Sequence, residues 1–156
     1  MATHRFFHCP VCRKQKRAKS LFSALKAVAD NSPPKCPQHA TPMHLNLSFD
    51  FALGASGKNS VVIASFYPHS PEQWWEESRE RTVTFCPFLV VTKREGRDQA
   101  IWLPYWHLIQ DDEKVNHKYG QWAPLMDLKL FEDLLTQARC AGFLDPPPST
   151  TNPVTE

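Results

Sequence analysis

The chain has 156 residues, which is enough for one domain with a hydrophobic core and a small additional module. Apolar residues make up 42% of it, and no apolar stretch approaches the roughly 20 residues of a membrane-spanning helix, so we expect neither a disordered chain nor a membrane protein. The net charge of +2 divides unevenly. Residues 1–44 contain eight basic residues and one acidic residue (+7), and the remainder contains ten and fifteen (−5), which favours an acidic partner for the first part.

The N-terminus lacks the apolar segment of a secretory signal. Three of the five cysteines have the spacing of metal ligands, which fits a reducing compartment better than a disulfide framework. These two features predict a cytoplasmic protein.

In the first third of the chain, residues 5–8 are typical of a short strand and residues 13–19 form a basic run. A helix is predicted after Ser20, which serves as its N-cap, because Leu21, Leu25 and Val28 recur at helical spacing. The Pro-containing segment 31–34 ends this helix.

The middle of the chain predicts several strands. Residues 43–53 alternate strictly between apolar and mostly polar side chains, which indicates a half-buried strand. Residues 54–59 predict a turn, and 61–67 the partner strand of a hairpin. The Pro-initiated segment 71–80 is interpreted as a short helix. Two further strands are expected at 82–92 and 100–109.

The last third begins with a predicted polar loop at 110–118 and continues with a helix over 128–141. Asp127 is its expected N-cap and Gly142 its C-terminal cap. The predicted core stripe of this helix consists of Leu128, Phe131, Leu134, Leu135 and Ala138.

Together these elements predict an α+β fold: a mainly antiparallel sheet of about four strands with helices packed on it. The expected organisation is a zinc-binding module at 1–44, with a helix between its two ligand pairs, followed by an α+β domain at 45–145 that is continuous with it. The Pro-, Ser- and Thr-rich segment 146–156 is predicted to be a disordered tail.

The strongest functional pattern is a repeated four-residue segment. Cys9 and Cys12 flank a Pro and one further residue, and Cys36 and His39 do the same. Two ligands three residues apart can hold one ion from a tight turn whose backbone N–H groups point at the sulfurs, and two such turns complete a tetrahedron. The composition of the chain predicts such a coincidence in only about 4 of 10,000 chains. Four protein ligands leave no position for an activated water, so the sequence predicts one structural zinc ion.

The fourth ligand has alternatives, since His44, His8 and His4 lie near the same segments. Cys86 also precedes a proline but has no ligand three residues later, and it is interpreted as a buried strand cysteine.

These paired ligands resemble the knuckles of the zinc-ribbon group over about the first 45 residues, by the spacing of the ligand pairs. The chain departs from that group at Arg13, where such knuckles commonly have glycine, and in the predicted helix between the pairs. A two-cysteine, two-histidine finger is excluded, because no second histidine follows His39 at three to five residues.

A cluster of cations directly follows the first ligand pair. It is interpreted as a phosphate-contacting surface held by a rigid turn, and the alternative is a solvated charge run without a partner. Its members are Arg13, Lys14, Lys16, Arg17 and Lys19.

Trp74 and Trp75 are adjacent on the predicted helix 71–80, so their side chains would point about 100° apart. The functional interpretation is a protein-contact surface, and the alternative is one core and one half-buried tryptophan. Trp102 and Trp106 are assigned to the core.

Catalytic motifs are absent from the sequence. The weak candidate is His107 with Asp111 and Asp112, against the simpler interpretation of a solvent-exposed histidine at a strand end. We therefore expect a non-enzymatic structural-zinc protein that binds nucleic acid through its basic N-terminal module. The alternatives are a zinc-stabilised protein–protein adaptor and, more weakly, an enzyme with a site near His107.

Overall fold

The computed structural model describes residues 2–49, 59–93, 99–111, 114–120 and 128–144. Within them the chain forms ten strands, two α-helices and one 3-10 turn. In chain order these are β1 (Ala2–His8), β2 (Gln15–Arg17), α1 (Leu21–Ala29), β3 (His44–Phe49), β4 (Asn59–Phe66), β5 (Gln73–Glu76), the 3-10 turn (Glu77–Arg79), β6 (Arg81–Pro87), β7 (Leu89–Lys93), β8 (Gln99–Trp102), β9 (Tyr105–Asp111), β10 (Lys114–Tyr119) and α2 (Leu128–Cys140).

The strands form two sheets in which every paired neighbour is antiparallel. The larger sheet has the order β2-β1-β3-β4-β7-β8, and the smaller has the order β10-β9-β6-β5. Strands are the most frequent element among the residues that the structure describes. The predicted α+β fold with one sheet of about four strands is therefore wrong, and the protein is mostly β.

The main core joins both sheets to α1. Leu45, Leu47 and Val62 face it from the larger sheet, and Cys86 and Trp106 from the smaller. Helix α1 begins after Ser20, whose hydroxyl accepts a hydrogen bond from the Ser23 N–H in a reciprocal capping arrangement. Its buried residues Leu21, Phe22, Ala24 and Leu25 belong to the same cluster, so α1 is part of the main core.

Helix α2 packs on the opposite face of the larger sheet. Leu134 and Ala138 are fully buried against Leu89 and Val91 of β7. The predicted stripe is partly wrong, because Leu128 is exposed and Leu130 is buried in its place. Gly142 ends the helix at φ +76°, and its N–H and that of the next residue donate to carbonyls of the last turn, as predicted for a C-terminal glycine.

Two segments predicted as single strands are each divided between the sheets. The chain leaves the smaller sheet at Phe88 and continues in the larger sheet as β7, and it returns at Leu103–Pro104 to become β9. The Phe88 N–H donates to the Pro104 carbonyl at 2.8 Å, which joins the two crossing points. Phe88 and Pro104 are fully buried, so an uninterrupted apolar run conceals the change of sheet.

Two further predictions are wrong. The segment predicted as a helix at 71–80 forms β5 and the 3-10 turn, consistent with the preference of adjacent tryptophans for strands. The segment predicted as a polar loop at 110–118 contains the end of β9 and most of β10, which pairs with β9 from Lys114 to Tyr119. Strand β10 lies at the edge of its sheet, with a neighbouring strand on one side and solvent on the other. Such a strand needs few apolar residues, so its sequence resembles that of a polar loop.

The hairpin prediction is confirmed, since β3 and β4 pair antiparallel, and Met43, Leu45 and Leu47 are buried at alternate positions. The predicted turn at 54–59 falls almost wholly outside the described residues, as do Asp112, the N-cap Asp127 and the tail 146–156. Among the described residues, neither helix is long and apolar enough to cross a lipid bilayer.

Candidate metal centre

The two predicted ligand pairs form turns with the same backbone structure. In the first, the Cys9 N–H donates to the Lys14 carbonyl and the Arg13 N–H donates to the Cys9 carbonyl, both at 2.9 Å. In the second, the corresponding bonds run from Cys36 to Thr41 at 2.9 Å and from Ala40 to Cys36 at 2.8 Å.

Each turn closes through a residue in the left-handed region. Arg13 has φ 58° and Ala40 has φ 55°, and both stand four residues after the first cysteine of their turn. Such a conformation favours glycine, which accounts for the glycine expected at the position of Arg13 from the resemblance to zinc-ribbon knuckles.

The backbone of each turn stabilises a thiolate. The Cys12 N–H hydrogen-bonds the Cys9 sulfur and, with the Val11 N–H, holds the pKa of Cys9 below its ordinary value although burial opposes this. Burial alone would raise the pKa of Cys36, but the N–H groups of Gln38 and His39 lower it on balance. The first cysteine of each turn is therefore prepared for cation binding, because the thiolate is the metal-binding form.

Cys12 behaves differently. The Lys14 N–H lowers the pKa of the Cys12 thiol, but loss of hydration and the neighbouring Cys9 and Cys36 sulfurs outweigh it and raise that pKa. Crowding of thiols without a counter-charge is the physical cause, and a bound cation reverses it.

The ligand atoms of the two turns converge. One atom from each of Cys9, Cys12, Cys36 and His39 lies within 4.8 Å of all the others, in a cluster that could hold a metal ion. The Cys12 and Cys36 sulfurs are 3.7 Å apart, and His39 Nδ1 lies 3.7 Å from the Cys9 sulfur and 3.6 Å from the Cys36 sulfur.

These separations fit a tetrahedral ion. Two sulfurs on a tetrahedral zinc lie about 3.8 Å apart, and a sulfur and a nitrogen about 3.6 Å, given bonds of about 2.3 and 2.0 Å. A disulfide would bring two sulfurs to about 2.05 Å, and the three cysteines of the cluster are free. The donor set and its spacing therefore fit Zn²⁺.

The first and second ligands of each turn differ in their exposure to solvent. Cys9 and Cys36, the first ligands, are 0% and 1% exposed and belong to the main core, whereas Cys12 and His39, the second ligands, are exposed. The cluster thus sits at the surface while its two inner sulfurs join it to the core.

The alternative fourth ligands lie elsewhere. His8 and His44 are cross-strand neighbours on β1 and β3, with their rings edge to face at 5.9 Å, and neither belongs to the cluster. The side chain of His4 is outside the described part of the chain. Cys86 is a buried strand cysteine, as predicted, and its sulfur lies 3.4 Å from the Tyr67 hydroxyl.

The five predicted phosphate-contacting cations are all exposed, and three of them flank or form β2, an edge strand of the larger sheet. Lys16 and Arg17 point to opposite faces of that strand. Lys26, also in the basic N-terminal part, is paired with Asp30 at 2.6 Å and lies over the Tyr67 ring.

Trp74 and Trp75 lie on β5, an edge strand of the smaller sheet, and therefore point to opposite faces. They are 40% and 57% exposed, so neither is a core residue. The Trp74 ring contacts the His107 ring at 5.8 Å.

His107 lies within β9, not at a strand end, and its ring also contacts Phe85 and Tyr105. Burial lowers its pKa. The side chain of Asp111 and the whole of Asp112 are outside the described residues, so the predicted acid–base cluster receives no support from the described part.

Sequence reasoning missed a contact between His69 and Asp133. The His69 N–H and ring both bind the Asp133 carboxylate, each at 3.0 Å, and the two residues line a cleft of about 500 Å³ beside Leu130. These bonds help to lower the pKa of Asp133 although burial opposes this. No local pattern signals a contact across 64 residues.

Comparison of the chain with protein families, curated proteins and solved structures finds no match.

Proposed function

We propose that the protein is a non-enzymatic structural-zinc protein that binds nucleic acid through the cations following its first metal-binding turn. The zinc part rests on the tetrahedral spacing of three sulfurs and one imidazole nitrogen. Four protein ligands leave no coordination position for a reacting water, so the ion would serve the fold alone.

The observation that supports nucleic-acid binding is the exposure of the five cations on a rigid support. Arg13 lies within the turn that Cys9 and Cys12 anchor, and Lys16 and Arg17 lie on β2, which is hydrogen-bonded to β1. Their backbone is already ordered, so phosphate binding would cost little conformational entropy.

Salt dependence tests this proposal. Log affinity for a short fluorescent duplex, followed by anisotropy, should fall linearly with log salt, with a slope of about −0.9 for each phosphate contacted. Replacing Lys14, Lys16 and Arg17 with Gln should weaken binding to all sequences alike and flatten the slope by roughly two to three units. Zinc content should not change.

A matched control removes the same charge elsewhere. Lys93, Lys118 and Arg139 are exposed cations on β7, β10 and α2, outside the N-terminal part. Their combined change to Gln should leave the slope within about half a unit of the parent, because salt dependence counts contacted phosphates. Equal losses in the two triple variants would show a non-specific charge effect and contradict the proposal.

A second candidate function is that of a zinc-stabilised protein adaptor. Two exposed tryptophans on one edge strand support it, since tryptophan is enriched at protein contacts. Trp74→Ala with Trp75→Ala would then abolish recovery of one stoichiometric protein partner. Absence of nucleic-acid binding at low salt, together with such a partner, would favour this function over the first.

A further inference from the structure

Strand β5 forms one edge of the smaller sheet, and among the described residues it pairs with β6 alone. The same register continues to Glu72, whose carbonyl accepts a hydrogen bond from the Phe85 N–H at 2.8 Å. Hydrogen-bonded and non-hydrogen-bonded pairs alternate along an antiparallel ladder. Trp74 is therefore bonded to β6, whereas the N–H and C=O groups of Gln73 and Trp75 point away from it.

The outer side of β5 is open to solvent. Gln73 is exposed, and Trp74 and Trp75 are 40% and 57% exposed. Within the described ranges, the outward N–H groups of Gln73 and Trp75 have no hydrogen-bond partner. A strand edge of this kind is a template to which another extended chain can add.

The side chains of β5 do not protect this edge. Edge strands that resist the addition of another strand commonly carry charged residues, lysine above all, or proline. Strand β2, at an edge of the larger sheet, carries Lys16 and Arg17, whereas β5 presents two adjacent tryptophans. Because exposed tryptophan is enriched at protein contacts, the composition of β5 favours strand addition.

The charge around β5 selects among possible partners. The segment 71–81 contains four acidic and two basic residues, a net charge of −2. Glu72, Trp74 and Glu76 occupy alternate positions and lie on one face. A second copy of β5 added about a two-fold axis at Trp74 would bring Glu72 opposite the other copy's Glu76, and like charges directly opposite are destabilising. A strand with basic residues at these two positions would instead be attracted.

We infer that β5 binds an extended segment of a partner protein by strand addition, with basic residues of that segment opposite Glu72 and Glu76 and an apolar residue opposite Trp74. The N–H and C=O groups of Gln73 and Trp75 supply the main-chain hydrogen bonds, and the alternate side chains supply specificity. This rests on the second candidate function, the protein adaptor, and specifies its partner. It does not involve the cations that follow the first turn.

The test uses a fluorescent peptide of about nine residues, the length of a typical strand, with Lys-Thr-Val-Thr-Lys at its centre and both ends blocked. This core reads the same in either strand direction. Anisotropy at low salt should show saturable binding. Replacing both lysines of the peptide with glutamate should weaken binding about tenfold, because like charges then face Glu72 and Glu76.

A backbone variant tests strand addition separately from the tryptophans. Gln73→Pro removes one outward N–H and keeps both rings, because an edge strand accepts proline where the N–H faces away from the sheet. It should weaken peptide binding more than about tenfold, through loss of a hydrogen bond and obstruction by the ring. The matched control Gln73→Thr keeps the N–H and should change binding less than about twofold. Duplex binding and zinc content should be unchanged in both variants.

Amide hydrogen exchange, followed by NMR on the parent chain, is a readout that needs no variant. Peptide binding should slow exchange at Gln73 and Trp75, whose N–H groups become hydrogen-bonded. Exchange at Trp74, which is already bonded to β6, should change little.

The outcomes separate the proposals. Failure of the lysine peptide to bind, or binding without protection at Trp75, overturns the inference. Self-association of the parent that Gln73→Pro abolishes would identify a second copy as the occupant and would also overturn it. If the parent binds the peptide as described but no nucleic acid at low salt, the nucleic-acid function fails and the inference stands.

Discussion

The two turns that carry the candidate metal ligands have the same backbone and different surroundings. Each buries its first ligand, exposes its second, and closes through a left-handed residue, Arg13 in one and Ala40 in the other. The first leads into a cationic edge strand, and the second leads through Met43 into β3, an inner strand of the larger sheet.

This comparison separates what metal binding requires from what it does not. The shared features are the ligand spacing, the two backbone hydrogen bonds and the N–H groups that face the sulfurs. A run of five cations follows the first turn, whereas Lys35 alone adjoins the second, so clasping an ion does not require such a run. Under the proposed function, this run is what distinguishes the first turn.

The largest expected effect is loss of the inner ligands. Cys9→Ser and Cys36→Ser should release the ion and unfold the protein, since structural zinc contributes about 10–16 kcal/mol in small modules and whole domains are stable by only about 5–15 kcal/mol. Because both sulfurs lie in the main core, we expect the two variants to behave alike. Zinc analysis and thermal unfolding by circular dichroism measure this.

Cys140→Ser, which changes an exposed cysteine outside the cluster, is the control and should retain one zinc per chain, as should Cys86→Ala. Release of the ion from either control, or a parent chain that binds none, would contradict the assignment.

The next effect concerns the exposed ligand of the second turn. His39→Ala should lower zinc affinity by more than about a hundredfold, because it removes a ligand. Even the loss of a residue that only hydrogen-bonds to a ligand lowers metal affinity about 10–100-fold. His44→Ala should change it less than about twofold, because its ring faces His8 outside the cluster. Competition with a chromogenic chelator gives both values, and the opposite order would move the fourth ligand to His44.

Glycine at the closing residues sharpens the comparison. Arg13→Gly and Ala40→Gly should each stabilise the protein by about 0.5–1 kcal/mol, because both relieve a left-handed conformation. Only Arg13→Gly should also flatten the salt slope of duplex binding, by about 0.9 if Arg13 contacts one phosphate. Chemical denaturation and anisotropy measure the two effects. An equal change of slope in both variants would remove the distinction between the turns.

The smallest effect tests a histidine outside both turns. Burial among aromatic rings lowers the pKa of His107, so the unfolded chain takes up a proton at a higher pH than the folded protein does. Stability should therefore fall as the pH drops through the ordinary value of 6.5, and His107→Phe should remove this part of the dependence. Proton NMR titration of the His107 ring measures the pKa directly, and a value at or above 6.5 would contradict the prediction.

The metal centre was predictable because its information is local. Ligands three residues apart in a tight turn constrain each other without help from the rest of the chain, and the two pairs identify themselves by their common form. The same holds for α1, where Ser20 caps a helix with apolar residues at helical spacing, and for the glycine that ends α2. The identity of the fourth ligand, among His39, His44 and His8, could be decided only once the tertiary structure placed the second turn next to the first.

The fold class depended on contacts that no local pattern records. The segments 82–92 and 100–109 have uninterrupted strand character, yet Phe88 and Pro104 divide each between two sheets, and only their mutual hydrogen bond and burial reveal the crossing. The segment 71–80, which contains Trp74 and Trp75, is predicted as a helix because a proline suits the first helical position. Pairing with β6 instead provides the backbone partners of a strand. Residue spacing thus identified the two ligand pairs of the candidate metal centre, since the members of each pair lie within four residues of one another. Tertiary structure decided the sheets, because strand pairing joins residues far apart in the chain and can override local preference.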